Sequence, residues 1–489
     1  MEQAGASMTT ARLFDLNIEK ILEAWESAHA VRELIANAID EQELTDTPDI
    51  EVVKTEDGDW TIRDFGRGLR YEHFTQNENA EKLRNAGKVI GKFGVGLKDA
   101  MATLHRNGVA VNIRSAHGEI TLAQIAKRDF DDVVTLHAAV QPSPDPSMVG
   151  TTIILRGLSD EQMEKAKSFF LRFSEEEVLE STRIGEILRR KPDVSARIYV
   201  AGLLVAEEEN FAFSYNITAL TEPMRKALNR ERTNVGRTAY SDRVKQMLLN
   251  ATKAEIGSEL ADQLQALQSG LGSDEVRWKE VAVHAVRILS GSGKYLFVTA
   301  DQLMTNSSSV DHARNDGIKI ITIPDSIQRD VVGMTDLSGE PIRDLGQYQT
   351  EWNDSFVFDF LEPGSLSTAE RSVFDMVEAI AALVGGLPDH VQSIRVSNTM
   401  RVELATGSDA LGLWDGSTKS IVIRRDQLSS VSSFAGTLLH EIVHARTGFD
   451  DVTRDFENAL TDVIGQTAAA ALKPAREPKS LFTSLFSRA

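Results

Sequence analysis

Six short apolar segments follow one another between Asp49 and Gly157, and this run constrains the fold more than any other feature of the chain. "DIEVVK" and "WTIRDFG" have the pattern of an antiparallel hairpin turning at Asp57 and Gly58. "VAVNIRSA", "EITLAQIA", "VVTLHAAV" and "GTTIILRG" read as further strands. Ahead of them, apolar residues recur at helical spacing from Ile18 to Asp40, through Ile21, Leu22, Trp25, Val31, Leu34, Ile35 and Ala38. Between the strands, "RNAGKVIGKFGVGLKDAMATL" is a glycine-rich loop entering a helix. Helices set against an antiparallel or mixed sheet make an α+β unit.

With 489 residues the chain is too long for one core, so an α+β multidomain protein is expected. A helical tract follows residue 165, then strands at "ARIYVAGLLVA" and "NFAFSYNIT", then helix again over 222–268. These make a second α/β domain over 166–285. "KYLFVTADQL" and "GIKIITIPDSI" place a small α/β segment of unread role over 286–365. A mainly helical domain spans 366–475, and a Pro-containing basic tail covers 476–489. "LSGSGKY" is a turn and not a phosphate loop, because Ile288 and Tyr295 stand where Gly and Ser or Thr are needed.

The net charge of −20 argues against general nucleic-acid binding, which needs clustered cations. Cysteine is absent, so any zinc has to be held by His, Asp or Glu. The first residues lack the apolar core of a signal peptide, and no apolar run approaches the ~20 residues that span a bilayer. A cytoplasmic protein that binds no membrane is the expectation.

Three motifs occur in order in the first domain. Glu33, Asn37 and Asp40 share one face of the predicted helix, as a general base and a magnesium ligand acting on one phosphate must. Taken alone, this trio fits a solvated helix face equally well. Asp64-Phe65-Gly66-Arg67-Gly68 follows a strand; its carboxylate can accept from a ligand amino group while Gly66 and Gly68 close tightly. Gly91, Gly94 and Gly96 lead into a helix, where backbone N–H groups can face a polyphosphate.

Together these motifs, with Gly150-Thr151-Thr152, resemble the Bergerat ATP-binding fold of the GHKL superfamily: gyrase, large heat-shock chaperones, histidine kinases and MutL. The likeness covers residues 1–165 and implies an α/β sandwich with ATPase activity. By it, Glu33 polarises the attacking water, Asn37 binds Mg2+ and Asp40 supports the magnesium or nucleotide through water. Asp64 receives the adenine amino group. Gly91, Gly94 and Gly96 cradle phosphates, and Thr151 belongs to the late Gly-Thr strand. Residues 71–90 fall where the family keeps a lid. Domain order is similar to the chaperone, MutL and MORC arrangement, in which the second, transducer-like domain supplies a cation; Arg230 and Arg232 are the best local candidates. An ATP-dependent homodimer is implied.

"TLLHEIVHART" places His440 and His444 four apart on an apolar helix, so both imidazoles point one way. Glu441 stands beside the first, placed to take a proton from a metal-activated water. The strand "KSIVIRRDQL", preceded by "GLWD", comes just before this helix. The set resembles compact zincin metallopeptidases, where a strand edge beside the metal holds an extended peptide. Such a site needs a third Zn2+ ligand; Glu457 is the first choice, with Asp450 or Asp451 as runner-up.

The combined expectation is an ATP-operated switch controlling a zinc-dependent peptidase, with a protein or peptide substrate. Such a pairing would suit a conditional effector in bacterial defence, although no residue carries that setting. The alternative is an ATP-driven clamp or chaperone, similar to MORC or MutL, with a non-catalytic metal domain.

Overall fold

The computed structural model describes residues 11–16, 25–74, 89–90, 96–127, 130–227, 235–267, 269–404 and 406–472. The chain divides into two compact units, Met1–Leu289 and Ser290–Ala489. It is an α+β protein of several domains.

The first unit begins with seven antiparallel strands: β1 (Arg12–Asp15), β2 (Glu51–Lys54), β3 (Trp60–Asp64), β4 (Ala110–Ser115), β5 (Gly118–Lys127), β6 (Phe130–Gln141) and β7 (Thr151–Arg156). Their order is β1-β6-β5-β4-β7-β3-β2. Burial alternates along β3 and β7, so one face carries the core. Three helices cover that face: α1 (Ser27–Thr45), α2 (Gly96–Arg106) and α3 (Asp160–Lys167). Leu34 and Ile35 of α1, Met101 and Leu104 of α2, and Met163 of α3 join Ile62, Ile113 and Leu155 in a single apolar cluster. The strand run gives the α+β unit expected of it, and the layering is the α/β sandwich that the resemblance implied. His29, in the first turn of α1, packs its ring 5.5 Å from that of Phe169.

A second sheet follows, with β8 (Val178–Ser181), β9 (Gly185–Arg189), β10 (Ala196–Val200), β11 (Leu203–Glu208) and β12 (Phe213–Ile217) ordered β11-β10-β12-β9-β8. The helical tract expected after residue 165 ends early; "VLESTRIGEILR" is a hairpin. Thr182 closes its turn, with Oγ1 donating to the Gly185 carbonyl at 2.8 Å. Gly185 permits the approach to β12, since a Cβ there would lie 2.0 Å from the Asn216 carbonyl oxygen. Helices α4 (Glu222–Ala227), α5 (Ser241–Leu249), α6 (Ala254–Leu267) and α7 (Lys279–Ser290) complete the region. Glu275 is wholly buried and accepts from the Ala212 N–H at 2.9 Å and the Tyr215 hydroxyl at 3.0 Å.

The second unit starts with two parallel strands, β13 (Tyr295–Val298) and β14 (Lys319–Thr322). Around them lie α8 (Ala300–Thr305), α9 (Ser307–Asn315), α10 (Asp325–Val331) and α11 (Leu345–Ser355). A four-stranded sheet follows: β15 (Phe360–Leu361), β16 (Ser393–Ser397), β17 (Gly412–Asp415) and β18 (Ser420–Arg424), ordered β15-β16-β18-β17. β16 and β18 are parallel, whereas β17 is antiparallel and stands at the edge. Its helices are α12 (Thr368–Phe374), α13 (Val377–Ala382), α14 (Val431–Thr447) and α15 (Arg454–Ala471). Phe434, Leu438 and Ile442 of α14 pack on Ile421 and Ile423. Val422 faces the other way, onto Met400, Ala410, Phe358 and Phe360. Among the described residues, no helix is long and apolar enough to cross a membrane.

Candidate functional sites

In the first unit, α1 supplies the acids. Glu33 is buried, and its Oε1 accepts from Arg32 at 3.2 Å (Nε) and 2.9 Å (Nη2). Its Oε2 would lie 2.7 Å from a Cβ on Gly96, so the glycine brings the start of α2 against this carboxylate. Asn37, one turn further on, is half-buried. Asp40 is fully buried and accepts from the Ile90 N–H at 2.5 Å, tying the chain ahead of the glycine loop to α1.

Asp64 closes β3. Its Oδ1 accepts from the N–H groups of Gly66 (3.0 Å) and Thr151 (3.2 Å). Burial pushes its pKa above the usual carboxylate range, with the Glu41 charge adding to the effect against these hydrogen bonds. Gly150, at φ +80°, has to be glycine: a Cβ would meet the Asp64 carbonyl oxygen at 1.9 Å. Gly68 (φ +83°) passes the Gly150 carbonyl, where a Cβ would lie 3.2 Å away. Thr151 Oγ1 accepts from the Leu69 N–H at 3.0 Å. Asp64, Gly66, Gly68 and Thr151 are therefore brought together. Two residues that sequence reasoning missed hold this corner: Glu41 grips Arg67 through its backbone N–H and guanidinium, at 2.9 Å each. Gly91, Gly94, Arg230, Arg232, residues 75–88 of the lid region and the tail lie outside the described residues.

In the second unit, α14 places His440 and His444 one turn apart, their Nε2 atoms 3.2 Å from each other. Asp451 Oδ1 lies 3.1 Å from His440 Nε2 and 3.2 Å from His444 Nε2. Tetrahedral zinc with ordinary bond lengths separates its donors by roughly 3.3 Å. The donor types and spacings fit that ion. His444 Nδ1 pairs with the Phe449 carbonyl at 2.8 Å, which leaves Nε2 as the ligand nitrogen. Phe456 stacks on the His444 ring at 4.3 Å. One side stays open, with the His440 side chain 35% and that of Asp451 55% exposed.

Glu457, the first choice as third ligand, is not in this cluster. It is exposed on the first turn of α15, where Phe456 faces the histidines instead. Asp451, the runner-up, takes the place because the chain doubles back after α14: Gly448 caps the helix at φ +67° and Val452 turns at φ +61°. Neither Asp450 nor Asp451 caps α15, since Thr453 does.

Glu441 is buried beside the cluster. Burial pushes its carboxyl up to about 8; a hydrogen bond from the Trp414 backbone opposes this, and the charges of Asp451 and Glu403 add to it. Gly412 of β17 lies directly against it. The outer edge of β17 pairs with no strand among the described residues. Arg424 and Arg425, near this end of the sheet, are engaged by Asp426 and Glu370.

Fold and sites together define a multidomain α+β protein with a buried-acid corner in its first sandwich and a two-histidine, one-carboxylate donor set in its last domain. A family model described as the Mycoplasma pneumoniae MPN635 N-terminal domain matches residues 161–254. An uncharacterized Mycoplasma pneumoniae protein is 40% identical over 238 residues, spanning 48% of this chain and 95% of that protein. The chain belongs to the family of that protein. A second uncharacterized protein of the same organism is 25% identical over 347 residues, 66% of this chain and 96% of its own length. The ATPase region of Saccharomyces cerevisiae topoisomerase II overlays 36% of this chain and 61% of its own, at 9% identity and a TM-score of 0.23. So loose an overlay carries no weight by itself.

Proposed function

We propose that the protein is an ATP-binding and ATP-hydrolysing switch of the GHKL type that controls a zinc-dependent peptidase in its last domain. One observation carries the reading: Nε2 of His440, Nε2 of His444 and Oδ1 of Asp451 converge beside a buried acid, Glu441, next to β17, the edge strand of its sheet among the described residues. The two imidazoles and Asp451 would hold a zinc ion, which would supply Lewis acidity to a water and a carbonyl. With a cation beside it favouring the carboxylate, Glu441 would take a proton from the water and return it to the leaving amine. The backbone of β17 holds an extended peptide by strand pairing.

Support at the other site comes from the spacing of contacts on α1. Glu33 meets Gly96, and eight residues later Glu41 meets the loop after Asp64. Eight residues of helix span ~12 Å, comparable to a nucleotide lying from its base to its terminal phosphate. In this reading Asp64 takes the adenine amino group, Asn37 holds magnesium, Glu33 orients the water, and Arg230 or Arg232 reaches the terminal phosphate. ATP binding drives homodimerisation and shifts the peptidase between two states.

The test is zinc analysis, ATP hydrolysis and casein or self-cleavage by wild type, Glu33→Ala and Glu441→Gln, each with ATP, ADP or no nucleotide. Glu441→Gln should keep zinc and lose cleavage; Glu33→Ala should bind ATP without turning it over. Equal cleavage in all nucleotide states ends the switch. A zinc-loaded wild type that cleaves nothing leaves the ATP-driven clamp, with a non-catalytic metal domain, in its place.

A further inference from the structure

Several polar side chains of the small α/β segment converge on the chain at residues 402–409 of the last domain. Asn353, at the end of α11, donates to the Val402 carbonyl at 2.8 Å and accepts from the Val402 N–H at 2.9 Å, satisfying both backbone groups as a neighbouring strand would. Ser309 is fully buried and donates to the Gly407 carbonyl at 2.9 Å, while Gln349 donates to Ser309 at 2.9 Å. Gly407 has φ +65°, and a Cβ on it would meet the Asn306 side chain at 1.7 Å. His312 pairs with Asp409 at 2.9 Å, its ring stacked on Trp352 at 4.2 Å.

The chain held at 402, 407 and 409 enters β17 at Gly412, against Glu441. A polar path ties the other side of the same corner. Arg424 lies 3.9 Å from Asp409 and forms a forked pair with Asp426 at 2.8 and 2.7 Å. Gln427 donates to Asp426 at 3.0 Å and accepts from Thr437 of α14 at 3.1 Å. Thr437 also abuts Gly412. Each buried polar group here would cost stability if left unpaired, so the anchors hold one arrangement of the loop.

We propose that residues 290–356 form a positioning domain for the peptidase cleft, with Asn353, Ser309 and His312 fixing the chain that delivers β17 to Glu441. This rests on the peptidase reading of the metal cluster. The domain touches no reacting atom; it sets the edge strand on which an extended substrate pairs.

The test uses full-length protein carrying Asn353→Leu, His312→Leu or the conservative His312→Gln. Zinc content, kcat and KM on a peptide, and hydrogen exchange of the Gly412–Asp415 amides are measured. Losing one such anchor should raise KM about tenfold, with kcat nearly unchanged and zinc retained. Exchange along β17 should quicken, and His312→Gln should restore it. Unaltered exchange and KM overturn the proposal, as does zinc loss with kcat falling in step, which marks general unfolding. A zinc-loaded wild type without cleavage defeats the peptidase reading instead, and the exchange arm still decides whether the clamp holds β17.

Discussion

A Cβ on Gly412 would stand 2.8 Å from Oε1 of Glu441, and 2.7 Å from the Thr437 methyl. Edge strand and acid are thus in contact through the one residue type that leaves room. Gly412→Ala should turn the Glu441 carboxylate away or push β17 outward. Cleavage should then fall about a hundredfold, as misplacement of about 1 Å does to a reacting group. Zinc content should be unchanged, since no ligand moves. Metal analysis beside a peptide assay checks both.

Asp451 supplies the third donor in the cluster, and Glu457 points elsewhere. Asp451→Ala should weaken zinc binding by at least about a hundredfold, more than loss of a group behind a ligand usually costs. Glu457→Ala should bind zinc as wild type does. Competition against a chelator of known affinity separates the two; equal loss in both variants would contradict the arrangement.

Asp64 offers a pH signature. Its Oδ1 already serves two backbone donors, so a proton goes to the other oxygen and turns an acceptor into a donor. Burial raises its pKa, so the ionised form that accepts an adenine amino group is lost as pH falls through a value above the ordinary Asp range. Nucleotide affinity should weaken as pH falls, and do so at a higher pH than an exposed Asp would allow. In Asp64→Asn the affinity should be low at every pH. Fluorescent-nucleotide titration reads both.

Glu275 tests the second domain. It is buried against the N–H groups of Ala212 and Phe213 and the Tyr215 hydroxyl. Glu275→Ala strands those donors and should cost about 3 kcal/mol. Burial also raises the folded-state pKa, so the folded form binds the proton more tightly than the unfolded one. The group therefore favours folding increasingly as pH falls from neutral toward its unfolded value near 4.5. The stability gap between wild type and variant should widen over that interval, measured by hydrogen exchange along β12.

Much of this was legible in the residues. Short apolar segments between turn residues marked β3, β4 and β7, and spacings of four and three put Glu33, Asn37 and Asp40 on one helix. The pair His440 and His444 was readable because a helix fixes which side chains share a face. What stayed hidden depends on the chain between elements. The choice of Asp451 over Glu457 turns on Gly448 and Val452 in left-handed backbone, which no periodicity reports. Glu41 with Arg67, and Gly412 with Glu441, are contacts between distant segments. The hairpin β8–β9 was missed because Ile187 and Leu188 suit a helix as well as a strand; Gly185, where only glycine lets β9 meet β12, was the available signal.

The reversal after α14 puts all three donors and the acid within residues 440–451. The candidate metal site is thus written in one contiguous dozen residues, whereas Asp64, Glu33 and the residues around them come from elements scattered through the first third of the chain. That dozen can be transplanted as a unit into an unrelated helical scaffold; the acids of the first domain cannot. An inserted or deleted residue between Thr447 and Asp451 would abolish the centre while leaving its histidines intact.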